Sequence, residues 1–281
     1  MKIRQGDVAL ITGASRGIGR HIALALAHQG MDLVLAARSQ DGLDAIADEV
    51  RAAAGVTVST LTVDLGNRAQ ATALAGRAEE VAGRVDVLVN NAGLESARLL
   101  TEVTVDELAA MTEVNLLAPM VLTRAVLPGM IERGRGHVVN VSSMAGLIAS
   151  AYQESYSATK FGLVGFTLAL RMTAQDAGWG LSASAVCPGF IAGDGMYADM
   201  QAEFGVTTPR AAGDLPAERV GDAVVKAVEG DLPEVIVMKG VPRAMVVASA
   251  AAPQWFERIV RRLDVAAPFR TVANRRSAGS D

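Results

Sequence analysis

The chain has 281 residues, enough for one large domain with a sizeable core. It is 51% apolar and 20% charged, which excludes intrinsic disorder. A net charge of −4 argues against nucleic acid as a partner, and a single cysteine, Cys187, excludes a disulfide framework or a multi-thiolate metal site.

Met1–Asp7 is charged and holds no apolar leader, so the chain is expected in the cytoplasm. A strand follows at Val8–Thr12, then a glycine turn and a helix over Gly17–His28. The alternation continues with strand Leu33–Ala37, helix Asp41–Ala53, strand Val56–Val63, helix Arg68–Ala82 and strand Val85–Asn90. Next come a long helix over Val105–Ile131, strand His137–Ser142, helix Tyr152–Gln175, strand Leu181–Cys187, helix Ala217–Val228 and strand Glu234–Met238. Most of the strand runs are nearly continuous in Val, Leu, Ile and Ala, as in strands buried on both faces. The fold class is therefore α/β: a doubly wound, parallel, seven-stranded, Rossmann-like sheet with helices on both faces.

Residues 1–240 read as a single domain. Inside it, 192–215 is punctuated by Gly and Pro, has weak periodicity and reads as a substrate lid. Residues 241–281 read as a C-terminal helical extension and basic tail. No segment qualifies as a membrane span of ~20 apolar residues. Trp255, Phe256, Ile259, Val260 and Leu263 fall on one helical face, with Arg258, Arg261 and Arg262 elsewhere. Such a stripe packs on its own domain or a neighbouring subunit, covers a pocket, or makes a peripheral membrane contact.

The turn Thr12-Gly13-Ala14-Ser15-Arg16-Gly17-Ile18-Gly19 joins the first strand to the first helix. Glycines there let the backbone approach a pyrophosphate, and the helix N-terminus supplies free N–H groups. The second strand ends in Ala37-Arg38-Ser39, with no acid where NAD-binding folds hold the ribose 2′-hydroxyl. A guanidinium there pairs with a 2′-phosphate, and Arg16 offers a second cation. The expected coenzyme is NADP(H).

Tyr156 and Lys160 stand at i and i+4, on one helical face. A lysine ammonium beside a phenol favours the phenolate and lowers its pKa from about 10. A phenol tuned in this way exchanges a proton with a carbonyl or alcohol oxygen. Ser143, just after the fifth strand, can hydrogen-bond that oxygen, with Ser142 as the neighbouring candidate. No metal is expected: His21, His28 and His137 lack ligand partners at useful spacing, and Cys187 reads as a packed side chain.

This series resembles the short-chain dehydrogenase/reductase family over roughly residues 6–240. The carriers are the TGxxxGxG turn, Asp64-Leu65 after the third strand, Asn90-Asn91-Ala92-Gly93, Asn115, Ser143 followed by Tyr156-x-x-x-Lys160, and Pro188-Gly189. The resemblance implies coenzyme contacts from Gly13, Ser15, Arg16, Gly17, Ile18 and Gly19 of the turn. It implies Arg38 and Ser39 near the adenosine phosphate, with Asp64 and Leu65 at the adenine. Asn91, Ala92, Gly93, Pro188, Gly189 and Ile191 line the remainder. Lys160 also binds the nicotinamide ribose beside Tyr156, and Asn115 supports a water-linked proton path. The family's threonine after Pro188-Gly189 is replaced by Gly193.

The implied activity is NADPH-dependent reduction of a ketone or aldehyde, or the reverse oxidation, on a small molecule. Met196, Tyr197, Met200 and Phe204 of the lid, with Leu94, Leu99, Met144, Leu147 and Ile148, suggest an apolar substrate. An NADP(H)-recycling epimerase or isomerase and a non-catalytic NADP(H)-sensing regulator are the alternatives. A homodimer or homotetramer built on the Val105–Ile131 and Tyr152–Gln175 helices is the family expectation.

Overall fold

The computed structural model describes residues 1–210 and 212–278. The central sheet is parallel throughout, in the order β3-β2-β1-β4-β5-β6-β9. Its strands are β1 Val8–Thr12, β2 Asp32–Ala37, β3 Val58–Thr62, β4 Val87–Asn90, β5 Gly136–Val141, β6 Leu181–Pro188 and β9 Glu234–Val237. β1, β4, β5 and β6 are buried at every position, because helices cover both faces.

One face is covered by α1 Ile18–Ala27, α2 Gln40–Ala54 and α8 Glu218–Gly230. The other is covered by α3 Arg68–Ala82, α5 Ala118–Glu132 and α6 Glu154–Asp176. Local chemistry sets the helix ends. Ser39 caps α2 by accepting from Gly42 N at 3.2 Å, and Asn67 caps α3 by accepting from Gln70 N at 3.2 Å. Both helices stop at a left-handed glycine, Gly55 and Gly83. Thr104 and Glu107 form a capping box at the start of α4 Val105–Thr112.

A π-turn over Glu113–Leu117 joins α4 to α5. The resulting run, Val105–Glu132, is long and apolar enough to cross a membrane by length and composition, which corrects the expectation that no segment qualifies. Its apolar side faces the sheet: Leu122, Val126 and Met130 are wholly buried there. The strand order reverses between β1 and β4, so the crevice at the carboxyl ends of these strands is where an open α/β sheet takes a ligand.

The region after β6 is built differently. A two-stranded pair, β7 Ile191–Ala192 with β8 Leu215–Pro216, brackets a helix, α7 Met196–Phe204. Beyond β9 lie α9 Pro242–Ala251, α10 Pro253–Arg262 and α11 Ala267–Ala278. α11 packs on the domain, with Phe269 and Val272 against Met200 and Phe204 of α7, and the end of the expected tail, 279–281, lies outside the described residues. The α10 stripe is divided: Phe256 is buried, Ile259 and Val260 are half-buried, and Trp255 and Leu263 are exposed.

Candidate active site

The glycine turn and the Asn91 segment are locked together before any side chain can reach a ligand. Asn91 Nδ2 donates to the carbonyls of Thr12 (3.0 Å) and Gly13 (3.2 Å). Thr12 Oγ1 accepts the N–H groups of Asn91 (3.0 Å) and Ala92 (3.1 Å). The fit leaves no room for side chains. A Cβ on Gly19 would lie 2.1 Å from the Gly13 carbonyl oxygen, and one on Gly13 would lie 2.8 Å from Ala92 Cα. Gly17 begins α1 at φ +59°, a conformation that favours glycine. No side chain caps α1 and no acid stands in its first turn, so its leading N–H groups fit an anionic diphosphate.

The two basic side chains expected at the adenosine end part company. Arg38 is exposed at the end of β2 and pairs with no described residue. Arg16 instead reaches to Asp199 of α7 at 2.6 Å. Ser39 serves as the α2 cap, and Ser15 packs against Gly42. Asp64 is exposed and accepts from Gly66 N at 2.9 Å, while Leu65 and Ile191 are buried. Pro188-Gly189 ends β6 and lies against Met144 and Met238.

Ser143, Tyr156 and Lys160 converge at the ends of β5 and β6. Ser143 begins a short 3-10 turn, Met144–Gly146, with its hydroxyl accepting from Ala145 N at 3.1 Å. Ser142 is excluded as the site serine, because its hydroxyl is buried and donates to the Lys160 carbonyl at 3.0 Å. Lys160 Nζ donates to the Val141 carbonyl at 3.0 Å and lies 5.6 Å from the Tyr156 ring centroid. Burial outweighs the expected lowering of the phenol by this lysine. Burial dominates and raises the Tyr156 pKa above its ordinary value, against a hydrogen bond with Ser143. The same burial brings the Lys160 ammonium down to about 8. Two buried groups lacking a counter-charge each favour their neutral forms.

Asn115 sits in the π-turn and is wholly buried. Its side chain is fully engaged: Oδ1 accepts from Leu94 N (2.7 Å), and Nδ2 donates to Leu94 O (2.9 Å) and Thr159 Oγ1 (3.2 Å). It therefore fixes the backbone after Gly93. A Cβ on Gly93 would lie 3.3 Å from Asn115 Oδ1, 3.6 Å from Lys160 Nζ and 4.0 Å from Met196 Cε, so four separated segments meet at one point.

The segment expected as a lid folds onto this point. Gly195 lies against Gly17 and Ile18, Asp199 holds Arg16, and Asp194 contacts His21 Nε2 at 2.9 Å. Met200 and Phe204 pack with Ala97 and α11 rather than lining the site, and Leu147 packs beside Val164 and Cys187. Gly193, at the expected threonine position, has φ +84° and open space where a side chain would stand.

Sequence reasoning missed two neighbours of the site. Glu95 accepts from the buried Gln153 at 3.0 Å, and burial raises its pKa. A carboxyl two residues after Gly93 was the available signal. Thr12, at the head of the turn, was the other. Cys187 is buried and its thiol is pushed up to about 12 by that burial, so it is inert. Among the described residues no group of three His, Cys, Asp or Glu could hold a metal.

Comparison with known proteins gives the family of the chain. The pattern described as "short chain dehydrogenase" matches residues 7–203. Ketoacyl reductase HetN of Nostoc sp. is 38% identical over 91% of this chain and 88% of its own length. A 3-oxoacyl-acyl-carrier-protein reductase of Synechocystis sp. is 37% identical over 70% of this chain and 78% of its own. Among solved structures, a metagenomic short-chain oxidoreductase in complex with NADP is 33% identical, with a TM-score of 0.69 over 83% of this chain and 97% of that one. A variant of actinorhodin polyketide ketoreductase with NADPH is 31% identical, with a TM-score of 0.76 over 86% and 99%.

Proposed function

This chain belongs to the short-chain dehydrogenase family and is an NADP(H)-dependent oxidoreductase acting between a carbonyl and an alcohol; from that premise we propose that its substrate is a 3-oxoacyl thioester or a ketone of similar shape. The relatives named as ketoacyl reductases support this class. The observation that carries the reading is the meeting of Ser143, Tyr156, Lys160 and Gly93 beneath Met196, beside a glycine turn suited to a diphosphate.

When bound, a reduced nicotinamide supplies the hydride. Tyr156, kept protonated by burial, gives its proton to the carbonyl oxygen as negative charge develops there. Ser143 donates a hydrogen bond to the same oxygen. Lys160 holds the nicotinamide ribose and returns a proton toward the phenol. Asn115 is a positioning residue: its side chain holds Leu94, so any part in a proton path falls to its main chain. Gly13, Gly17 and Gly19 hold the diphosphate, and Arg38 reads the 2′-phosphate. The working form is a homo-oligomer in the cytoplasm, where NADPH is kept reduced.

The test is a coenzyme-oxidation assay over 3-oxoacyl thioesters of increasing chain length and simple ketones, with NADPH and NADH in parallel. Thioester reduction with NADPH should be fastest. Preference for NADH, or no oxidation across the panel, overturns the reading.

A further inference from the structure

We propose that the α9–α10 hairpin is a docking surface for anionic lipid bilayers. The hairpin is not part of the core: no residue of α9 is buried, and on α10 Phe256 alone is. The two helices pack chiefly on each other. They leave large apolar side chains in water, among them Val247 at 60%, Trp255 at 57% and Leu263 at 52% exposure.

The charges around these side chains decide the partner. Between residues 242 and 263 there are four arginines and one glutamate, in a chain whose net charge is −4. Arg243 is paired with Glu234, whereas Arg258, Arg261 and Arg262 are exposed and pair with no described residue. At about 100° per residue, Trp255, Ile259 and Leu263 form one edge of the apolar arc of α10, and Arg258 and Arg262 border it on the tryptophan side. Phe256, on the inner edge, is the anchor to the protein. An apolar face flanked by unpaired arginines and an exposed tryptophan matches the interface of an anionic bilayer: rings and aliphatic chains enter the headgroup region, while guanidinium groups meet phosphates.

A second copy of the chain is the weaker occupant. The remaining exposed apolar side chains include Met120 and Ile131 on α5 and Phe161 and Met172 on α6, the helices expected to join subunits. Facing two copies of the hairpin would bring its unpaired arginines together.

The test uses the full chain in flotation with vesicles of phosphatidylcholine alone and of phosphatidylcholine with about one-third phosphatidylglycerol. Binding to the anionic vesicles at low salt is expected, with a blue shift of tryptophan emission, and loss of most binding at high salt. W255S/L263S and R258E/R262E should each lose at least about tenfold in binding, while melting temperature and NADPH-dependent reduction stay unchanged. Absence of binding to anionic vesicles overturns the proposal. So does equal binding to neutral vesicles, full binding by R258E/R262E, or a concentration-dependent dimer abolished by W255S/L263S. None of these outcomes touches the assignment of the reaction, which the coenzyme assay reads separately.

Discussion

The parallel sheet and the lid meet at the glycine turn, yet they are held by different forces. The sheet residues beneath the site, such as Ile11, Val89, Val139 and Val186, are wholly buried between two helical layers. The lid is held down by an exposed ion pair, a histidine–aspartate contact and a small apolar cluster with α11. Packing of the first kind holds the strand ends that carry Ser143 and support Tyr156 and Lys160 in place. Contacts of the second kind are individually weak, so if this segment acts as the proposed lid, it would yield without disturbing the sheet. Substitutions under the sheet should therefore cost far more than substitutions in the lid.

The largest effect is expected at Tyr156. Replacing it with phenylalanine removes the proton donor and leaves the ring volume in place. Turnover should fall roughly a hundred- to ten-thousand-fold. NADPH affinity, read by fluorescence titration, should stay close to that of the parent chain. Turnover within about threefold of the parent would remove the phenol from the chemistry.

His137 probes the sheet itself. It is buried in β5, with Nε2 2.8 Å from Ser184 Oγ. Burial lowers its pKa from 6.5 to about 3. The unfolded chain therefore takes up this proton first as pH falls. The stability tied to neutral His137 is complete above pH 6.5 and is lost progressively toward pH 3. Between pH 6.5 and 5, where most carboxylates stay ionised, it contributes a slope approaching about 1.4 kcal/mol per pH unit. Urea unfolding of H137Q across that window should show a flatter pH dependence, even though the variant starts less stable. An unchanged slope would place the acid sensitivity elsewhere.

The same contrast explains what could be read from the sequence. The seven strands of the main sheet, though not the short β7 and β8, are legible to within about two residues because β1, β4, β5 and β6 are continuous apolar runs, a signal that buried parallel strands produce locally. The candidate trio Ser143, Tyr156 and Lys160 could be singled out because its spacing is set by one strand, one turn and one helix. α7 was hidden because only Met200 and Phe204 are buried on it, too few to make a period. α11 read as a tail because Arg270, Arg275 and Arg276 interrupt its apolar face, although Arg276 stacks over Phe204 and Arg275 donates to the Phe204 carbonyl. The partner of Arg16 could not be read at all. Asp199 lies 183 residues away, and only the folded lid brings the two together.

That pair gives the smallest and most discriminating test of the contrast. The Arg16 and Asp199 side chains are both more than half exposed, so D199N should leave the melting temperature essentially unchanged. The substitution frees the Arg16 guanidinium and removes a carboxylate from beside the proposed phosphate site. NADPH should then bind about two- to fivefold more tightly, and NADH, which has no 2′-phosphate, should change less. Equal shifts for both coenzymes would mean that Asp199 acts through lid position alone, leaving Arg38 as the sole reader of the phosphate. Weaker binding of both would mean that the pair holds the lid in its binding shape, and the sharp division between rigid sheet and yielding lid would have to be redrawn at Arg16.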